Sequence, residues 1–179
     1  MNDMSNSRGV VRLMIESDLE QVLKWRNHPD IRCYMYTQRI ISREEHKTWF
    51  DLSIKDDNKH LLIYEENNAQ KGFVQFQREK ESHFANWGFY TEPNALKGTG
   101  RRLGQAALWY AFVDLQLHKV YGESLALNQR SIRFHRALGF RQEGRFRDHH
   151  FDGRRYHDVI RFGLVKPEWK SAIKEKLKC

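Results

Sequence analysis

The segment Lys97-Gly98-Thr99-Gly100-Arg101-Arg102-Leu103-Gly104 combines three glycines and three cations at the start of a helical pattern. Glycines let a backbone turn sharply and let its N–H groups approach a ligand closely. A helix N-terminus adds unpaired N–H donors and a partial positive charge. Together these make a cradle for a pyrophosphate. No Gly-Lys-Ser/Thr follows, and the spacing differs from the dinucleotide pattern GxGxxG, so neither of those phosphate motifs applies. A flexible loop ahead of a helix would read the same way on this segment alone.

Two further places carry polar groups where they are costly or concentrated. Glu123 lies inside the apolar run Val120 to Leu127. A carboxylate there must face a site, as a base acting directly or through water, or pair with a nearby arginine. The run from Trp25 to Tyr36 gathers Arg26, Asn27 and His28 with Tyr34, Met35 and Tyr36, and His46 follows on the next helix. A guanidinium such as Arg26 suits a diphosphate. The aromatics suit either a flat ligand ring or plain core packing. His149, His150 and His157 straddle a turn with no cysteine beside them, so no metal is expected.

These residues need elements to position them. Val10 to Met14 reads as a strand. Ser17 with Glu20 and Ser42 with Glu45 read as capping boxes opening two helices, the first ending before Pro29. His60 to Tyr64 and Gly72 to Gln77 flank Asn67-Asn68, a hairpin signal. His83 to Tyr90 is the next strand. The helix after the glycine-rich segment shows its apolar face at Leu103, Ala106, Ala107, Tyr110, Val113 and Leu117. Val120 to Leu127 is a buried strand, and Asn128 to Leu138 a helix closed by Gly139. Arg145 to Phe151 and Tyr156 to Leu164 flank the turn Asp152-Gly153. A last helix begins at Pro167 and bears Trp169, Ile173 and Leu177. The order β-α-α-β-β-β-α-β-α-β-β-α is a mixed α/β domain over 10–179, after a polar tail at 1–9 that should be flexible.

The paired segments Lys97–Gly104 and Asn128–Phe140 resemble the acetyl-CoA-binding core of the GNAT superfamily. The element order is similar over nearly the whole chain. The resemblance implies a single-domain GNAT fold: a mixed central sheet of about six to seven strands, with central strands that splay, flanked by helices. It implies acetyl-CoA as co-substrate, with its pyrophosphate on Lys97 to Gly104 and its pantetheine arm between strands Asn86–Thr91 and Val120–Leu127. Phe89, Tyr90 and Thr91 would then offer backbone N–H groups to the thioester carbonyl. Asn128 would hold the arm, or serve only as a helix cap. Arg102 stands where the usual pattern has a small residue. His135 stands where many members have a tyrosine that contacts the CoA sulfur, which implies a role as acid toward the leaving thiolate; the plain alternative is a histidine that has lost that role.

The run Trp25–His46, with Leu115-Gln116-Leu117-His118 and Gln142-Glu143-Gly144-Arg145, is similar to the N-acetyltransferases of bacterial pseudaminic acid synthesis. That similarity implies a UDP-linked 4-amino-4,6-dideoxy-N-acetyl sugar as acceptor, held by Arg26, Asn27, His28, Met35, Tyr36 and His46. Within the superfamily, a protein N-terminal or ribosomal-protein acetyltransferase shares the same core. Outside it, the rival is a CoA- or nucleic-acid-binding module without activity.

Bulk properties bound these readings. The chain has 179 residues, 40% of them hydrophobic and 13% aromatic, enough for one well-filled core. Its net charge of +8 favours anionic partners. The basic residues are spread over many elements, which weakens nucleic acid as the partner. Cys33 and Cys179 form no ligand pattern and no disulfide framework is expected, which fits a reducing, cytoplasmic setting. No apolar run has the length to span a membrane, and no membrane partner is expected. A monomer or a homodimer fits equally.

Overall fold

The computed structural model describes residues 9–176. The expectations for residues 1–8 of the tail, for Leu177 and for Cys179 fall outside it. The strands are β1 (Val10–Leu13), β2 (Lys59–Glu66), β3 (Ala69–Arg78), β4 (Phe84–Thr91), β5 (Lys119–Leu125), β6 (Arg141–Phe151) and β7 (Tyr156–Val165). The helices are α1 (Leu19–Arg26), α2 (Pro29–Arg32), α3 (Arg43–Ser53), α4 (Thr99–Trp109), α5 (Gln129–Ala137) and α6 (Lys166–Lys176). All seven strands form one sheet in the order β1-β2-β3-β4-β5-β7-β6. Every pairing is antiparallel except that of β4 with β5.

Local chemistry explains most boundaries. Asn67 and Asn68 both take positive φ, 51° and 60°, and close the β2–β3 hairpin. Ser42 caps α3 by accepting the Glu45 N–H at 3.1 Å. The capping box expected at Ser17 does not form. A single 3₁₀ turn at Glu16–Asp18 comes first, and the carboxylate of Asp18 takes the polar role. It accepts the Ile15 N–H at 2.8 Å and two bonds from Arg12, at 2.7 and 2.9 Å. That charged fork outcompetes a neutral serine cap. Pro29 ends α1 as expected, but it also opens the one-turn helix α2, for which its fixed φ is suited. Helix α4 relaxes into a π turn at Tyr110–Asp114.

Alternation along the strands sends side chains to two faces. Leu62, Val74, Phe76, Trp87, Val120 and Phe162 pack under α4 and α5. Leu61, Ile63 and Phe73 pack under Val22 of α1 and Phe50 of α3. Helices α4 and α5 meet at Gly104, where an added Cβ would lie 2.5 Å from Leu138 Cδ1 and 2.9 Å from Phe134 Cζ. The Gly104→Ala variant should therefore lose stability. Overpacking costs about 1–3 kcal/mol and outweighs the helix-propensity gain of about 1 kcal/mol. Urea denaturation checks this; equal or greater stability would show that the helices separate freely.

Candidate active site

The site begins where the sheet opens. β4 and β5 pair only at Phe84–Lys119, Ala85–Val120 and Asn86–Tyr121. Beyond that, β4 continues to Thr91 on its β3 edge and β5 to Leu125 on its β7 edge. Their facing backbone groups have no ladder partner in this stretch, so an extended ligand can supply one. The splay implied by the resemblance is present.

The α4 start lies on one face of this opening. Gly98 caps the helix in the left-handed region at φ 93°, a conformation that requires glycine. Thr99 is buried, while Lys97 and Arg101 are exposed. At Gly100 an added Cβ would meet Phe134 and Thr91 only at ordinary distances, 3.7 and 3.8 Å. Nothing within the chain demands glycine there, which leaves the room for a ligand. The other members of the segment are committed elsewhere. Arg102 Nε lies 2.5 Å from Glu66 Oε1, so its charge is spent on β2 and not on the cradle. Leu103 is a core residue, and Gly104 serves helix packing.

The next ring of residues lines the opening itself. Phe89 packs on Phe134 with ring centroids 4.4 Å apart. Tyr90 turns to the opposite face beside Phe73, and Thr91 pairs with Gly72 at the strand end. Asn128 is a helix cap, accepting the Ser131 N–H at 3.0 Å. His135 is 1% exposed and stacks on Phe162 at 4.8 Å. Its Nε2 lies 3.2 Å from Trp87 Nε1, which can only donate, so Nε2 must accept. Its Nδ1 carries the ring proton and donates to the Ser131 carbonyl at 2.9 Å. Burial pushes its pKa down to about 4. The ring is neutral at physiological pH and has no free proton to hand to a thiolate. This geometry contradicts the acid role implied by the tyrosine position.

The opposite face of the sheet carries the N-terminal residues. Tyr36 donates its hydroxyl to Glu123 Oε2 at 3.0 Å, joining the α2–α3 loop to β5. Burial, reinforced by Glu123, pushes the Tyr36 pKa up and keeps it a donor. Arg161 of β7 sits 3.9 Å from Glu123 and 4.0 Å above the Tyr121 ring. Glu123 thus has the arginine neighbour expected of an ion pair, and a hydrogen bond from Tyr36 besides. Arg26 donates through Nη2 to the Thr37 carbonyl at 2.8 Å, while its Nη1 is buried without a partner. Met35 is half-buried in the same loop.

Three residues expected to touch substrate carry structural contacts of their own, although the buried His46 Nε2 has no hydrogen-bond partner. Asn27 clamps Ile41, donating to its carbonyl and accepting its N–H, both at 2.9 Å. His28 caps α2 by accepting the Asp30 N–H. His46 is buried between α1 and α3 and stacks on Trp49 at 4.9 Å. Sequence reasoning missed Trp87 as the partner that fixes the His135 tautomer. The signal was the period-2 pattern placing Trp87 on the same face as α5. It also left open which arginine meets Glu123; strand register decides for Arg161, which pairs directly opposite it.

Residues 8–141 match the acetyltransferase (GNAT) domain family. The chain belongs to that family. As a GNAT acetyltransferase it uses acetyl-CoA as acyl donor. Its relatives include the acetyltransferase PseH of Campylobacter jejuni, 28% identical over 123 residues, covering 69% of this chain and 76% of that protein. They also include the spermidine N(1)-acetyltransferase of Vibrio cholerae, 25% identical over 169 residues, covering 92% and 96%. The fold of this GNAT chain is that of the Vibrio cholerae spermidine N-acetyltransferase in complex with CoA and spermine, with a TM-score of 0.85 at 24% identity, covering 92% and 99%. Among the described residues no group of three or more His, Cys, Asp or Glu could hold a metal ion. No helix of the described residues is long and apolar enough to cross a membrane.

Two outcomes follow from this geometry. Gly100→Asp should fold normally yet weaken CoA binding by about 1.5–3 kcal/mol or more, since it sets a carboxylate against phosphate. Calorimetry with CoA checks it, and unchanged affinity would remove Gly100 from the cradle. For His135, the folded state prefers the neutral ring, with a pKa of about 4 against 6.5. Its contribution is complete above pH 6.5 and is lost as pH falls toward 4, a total of roughly 3 kcal/mol. His135→Phe should be less stable than wild type at pH 7.5, with a gap that narrows on acidification. Urea denaturation at pH 7.5 and 4.5 tests this; a constant gap would overturn the neutral-ring assignment.

Proposed function

We propose that this acetyltransferase moves an acetyl group from acetyl-CoA to the free 4-amino group of a UDP-linked 4-amino-4,6-dideoxy-N-acetylhexose, in the cytoplasm, as a step of pseudaminic acid synthesis. The observation that carries this reading is Arg26. Its half-buried guanidinium keeps Nη1 buried and without a partner. A buried cationic donor left unpaired is costly, and a phosphate oxygen is the acceptor that best repairs it. The Trp25–Tyr36 run and the 28% identity to PseH support the same acceptor.

In this reaction Lys97, Arg101 and the first-turn N–H groups of α4 hold the pyrophosphate. The unpaired β4 backbone near Phe89 to Thr91 aligns the arm and polarises the thioester carbonyl. Glu123 takes a proton from the acceptor ammonium, directly or through water, and the amine attacks the carbonyl carbon. The tetrahedral intermediate collapses, the C–S bond breaks, and the thiolate takes its proton from water, because His135 has none to give. No covalent enzyme intermediate is required. Holding both reactants at one opening supplies much of the rate.

A second reading, a polyamine acceptor, is favoured by the longer match to spermidine N(1)-acetyltransferase. The open cations oppose it. Arg26 Nη1 and Arg32 Nε are both buried without partners beside the 37–38 loop, where a polycation would be repelled.

The test is a thiol-release assay with UDP-amino sugars, spermidine and a peptide, followed by steady-state kinetics of Arg26→Ala. The variant should lose about 1.5–3 kcal/mol of sugar binding, read as a raised KM for the sugar alone. Equal loss for both substrates would mean a folding role for Arg26. No loss for either would sink the diphosphate contact. A wild-type enzyme that uses spermidine or peptide and ignores every sugar would overturn the acceptor.

A further inference from the structure

The acceptor face continues past Glu123 onto β6. Between Phe146 and His150 the β6–β7 ladder slips, with Phe146 opposite Val159 and His150 opposite His157. β6 therefore takes four residue steps where β7 takes two. Asp148 occupies this bulge at φ 49°, its N–H held by Asp158 Oδ1 at 2.9 Å. Bulges re-aim side chains and concentrate beside active sites. This one brings the His150 ring to 4.8 Å from that of Tyr36, tilted by 40°. Tyr36 is the residue whose hydroxyl meets Glu123. His150 Nε2 is buried and has no hydrogen-bond partner. A regular hairpin has no need of such a nitrogen, and leaving it unmade costs stability.

We infer that His150 is a specificity-determining residue whose Nε2 hydrogen-bonds a neutral polar group of the acceptor close to the reacting amine. The inference rests on the reading of the acceptor as an amino sugar. A sugar ring carries hydroxyl and N-acetyl groups next to its amine, each able to meet an imidazole nitrogen. A polyamine carries only methylenes between its amines and offers no such group. The Tyr36 ring covers one side of His150.

The experiment is steady-state kinetics of His150→Phe and His150→Gln in the full chain, with a UDP-linked 4-amino-4,6-dideoxy-N-acetylhexose and acetyl-CoA varied in turn. Phenylalanine keeps the ring contact with Tyr36 and removes the nitrogen. Glutamine restores a polar group near the Nε2 position. His150→Phe should raise the sugar KM about five- to tenfold, the scale of one neutral hydrogen bond, with kcat and the acetyl-CoA KM changed by less than about twofold. His150→Gln should recover most of that loss. An unchanged sugar KM in His150→Phe overturns the inference, as does a glutamine variant no better than phenylalanine. A parallel rise in both KM values also overturns it, since that marks a structural role. Failure of the acceptor reading appears separately, in a wild-type enzyme that acetylates spermidine and leaves the sugar untouched. That result overturns the His150 assignment as well, because spermidine gives Nε2 no neutral partner.

Discussion

Three shared ladder positions are all that join β4 to β5, and the rest of the molecule is arranged around their parting after Asn86 and Tyr121. A sheet opened at its centre would normally close to satisfy its backbone groups. Here each strand is held by its outer neighbour, β4 by β3 and β5 by β7. The Trp87 indole and the His135 imidazole occupy the inner side. A side chain at Gly122 would lie 2.6 Å from the indole and 3.2 Å from His135 Nε2, so β5 must present glycine where the wedge touches it. The wedge is itself satisfied: both ring nitrogens of His135 have partners, and the indole packs on Phe76, Phe89, Phe134 and Phe140. The opening is thus a packed feature of the core rather than a gap that awaits a ligand to form.

Period-2 alternation then divides the labour between the faces. Odd-numbered β4 residues such as Trp87 and Phe89 share a face with α4 and α5, and Tyr90 shares one with α1 and α3. On β5, Gly122 faces the wedge, while Glu123 reaches Tyr36 and Arg161 on the other side. In the proposed reaction the donor enters over the α4–α5 face and the acceptor over the α1–α3 face. The two meet only at the opening, which brings them together without a covalent relay. Arg102 contributes from a distance: its pairing with Glu66, to which Tyr64 also donates, ties the α4 start to β2.

Much of this was legible in the sequence, and the failures have physical causes. All seven strands and five of the six helices follow from periodicity and turn chemistry, because Asn67-Asn68, Asp152-Gly153 and Ser42 act locally. Helix α2 was missed since four residues carry no periodicity. The Ser17 cap failed against Asp18, whose partners Arg12 and Gln70 come from strands and cannot be read from a local window. In the glycine-rich segment, Gly98 is demanded by its φ, but Arg102 and Gly104 were read toward phosphate when a strand and a helix claim them. Composition tells that a glycine or a cation is present; only tertiary contacts tell what it faces. His135 is the sharpest case. Family position suggested an acid, and the donor-only indole of Trp87 removes that possibility by fixing the tautomer.

The same contacts bear on Glu123, the base of the proposed reaction. Tyr36 donates to Glu123 Oε2 at 3.0 Å, and the Arg161 guanidinium stands 3.9 Å from Oε1. In the proposed reaction the proton leaving the acceptor goes to the lone pairs that these two contacts leave free. The contacts also set a limit. Tyr36 occupies one carboxylate oxygen, so the proton must travel to the other or through a water that bridges to it. The α2–α3 loop that carries Tyr36 is held to α1 by Asn27 and Arg26, through Ile41 and Thr37. The residues proposed to hold the acceptor and those that contact Glu123 are therefore one connected unit. A change of acceptor would require the loop and the carboxylate to change together.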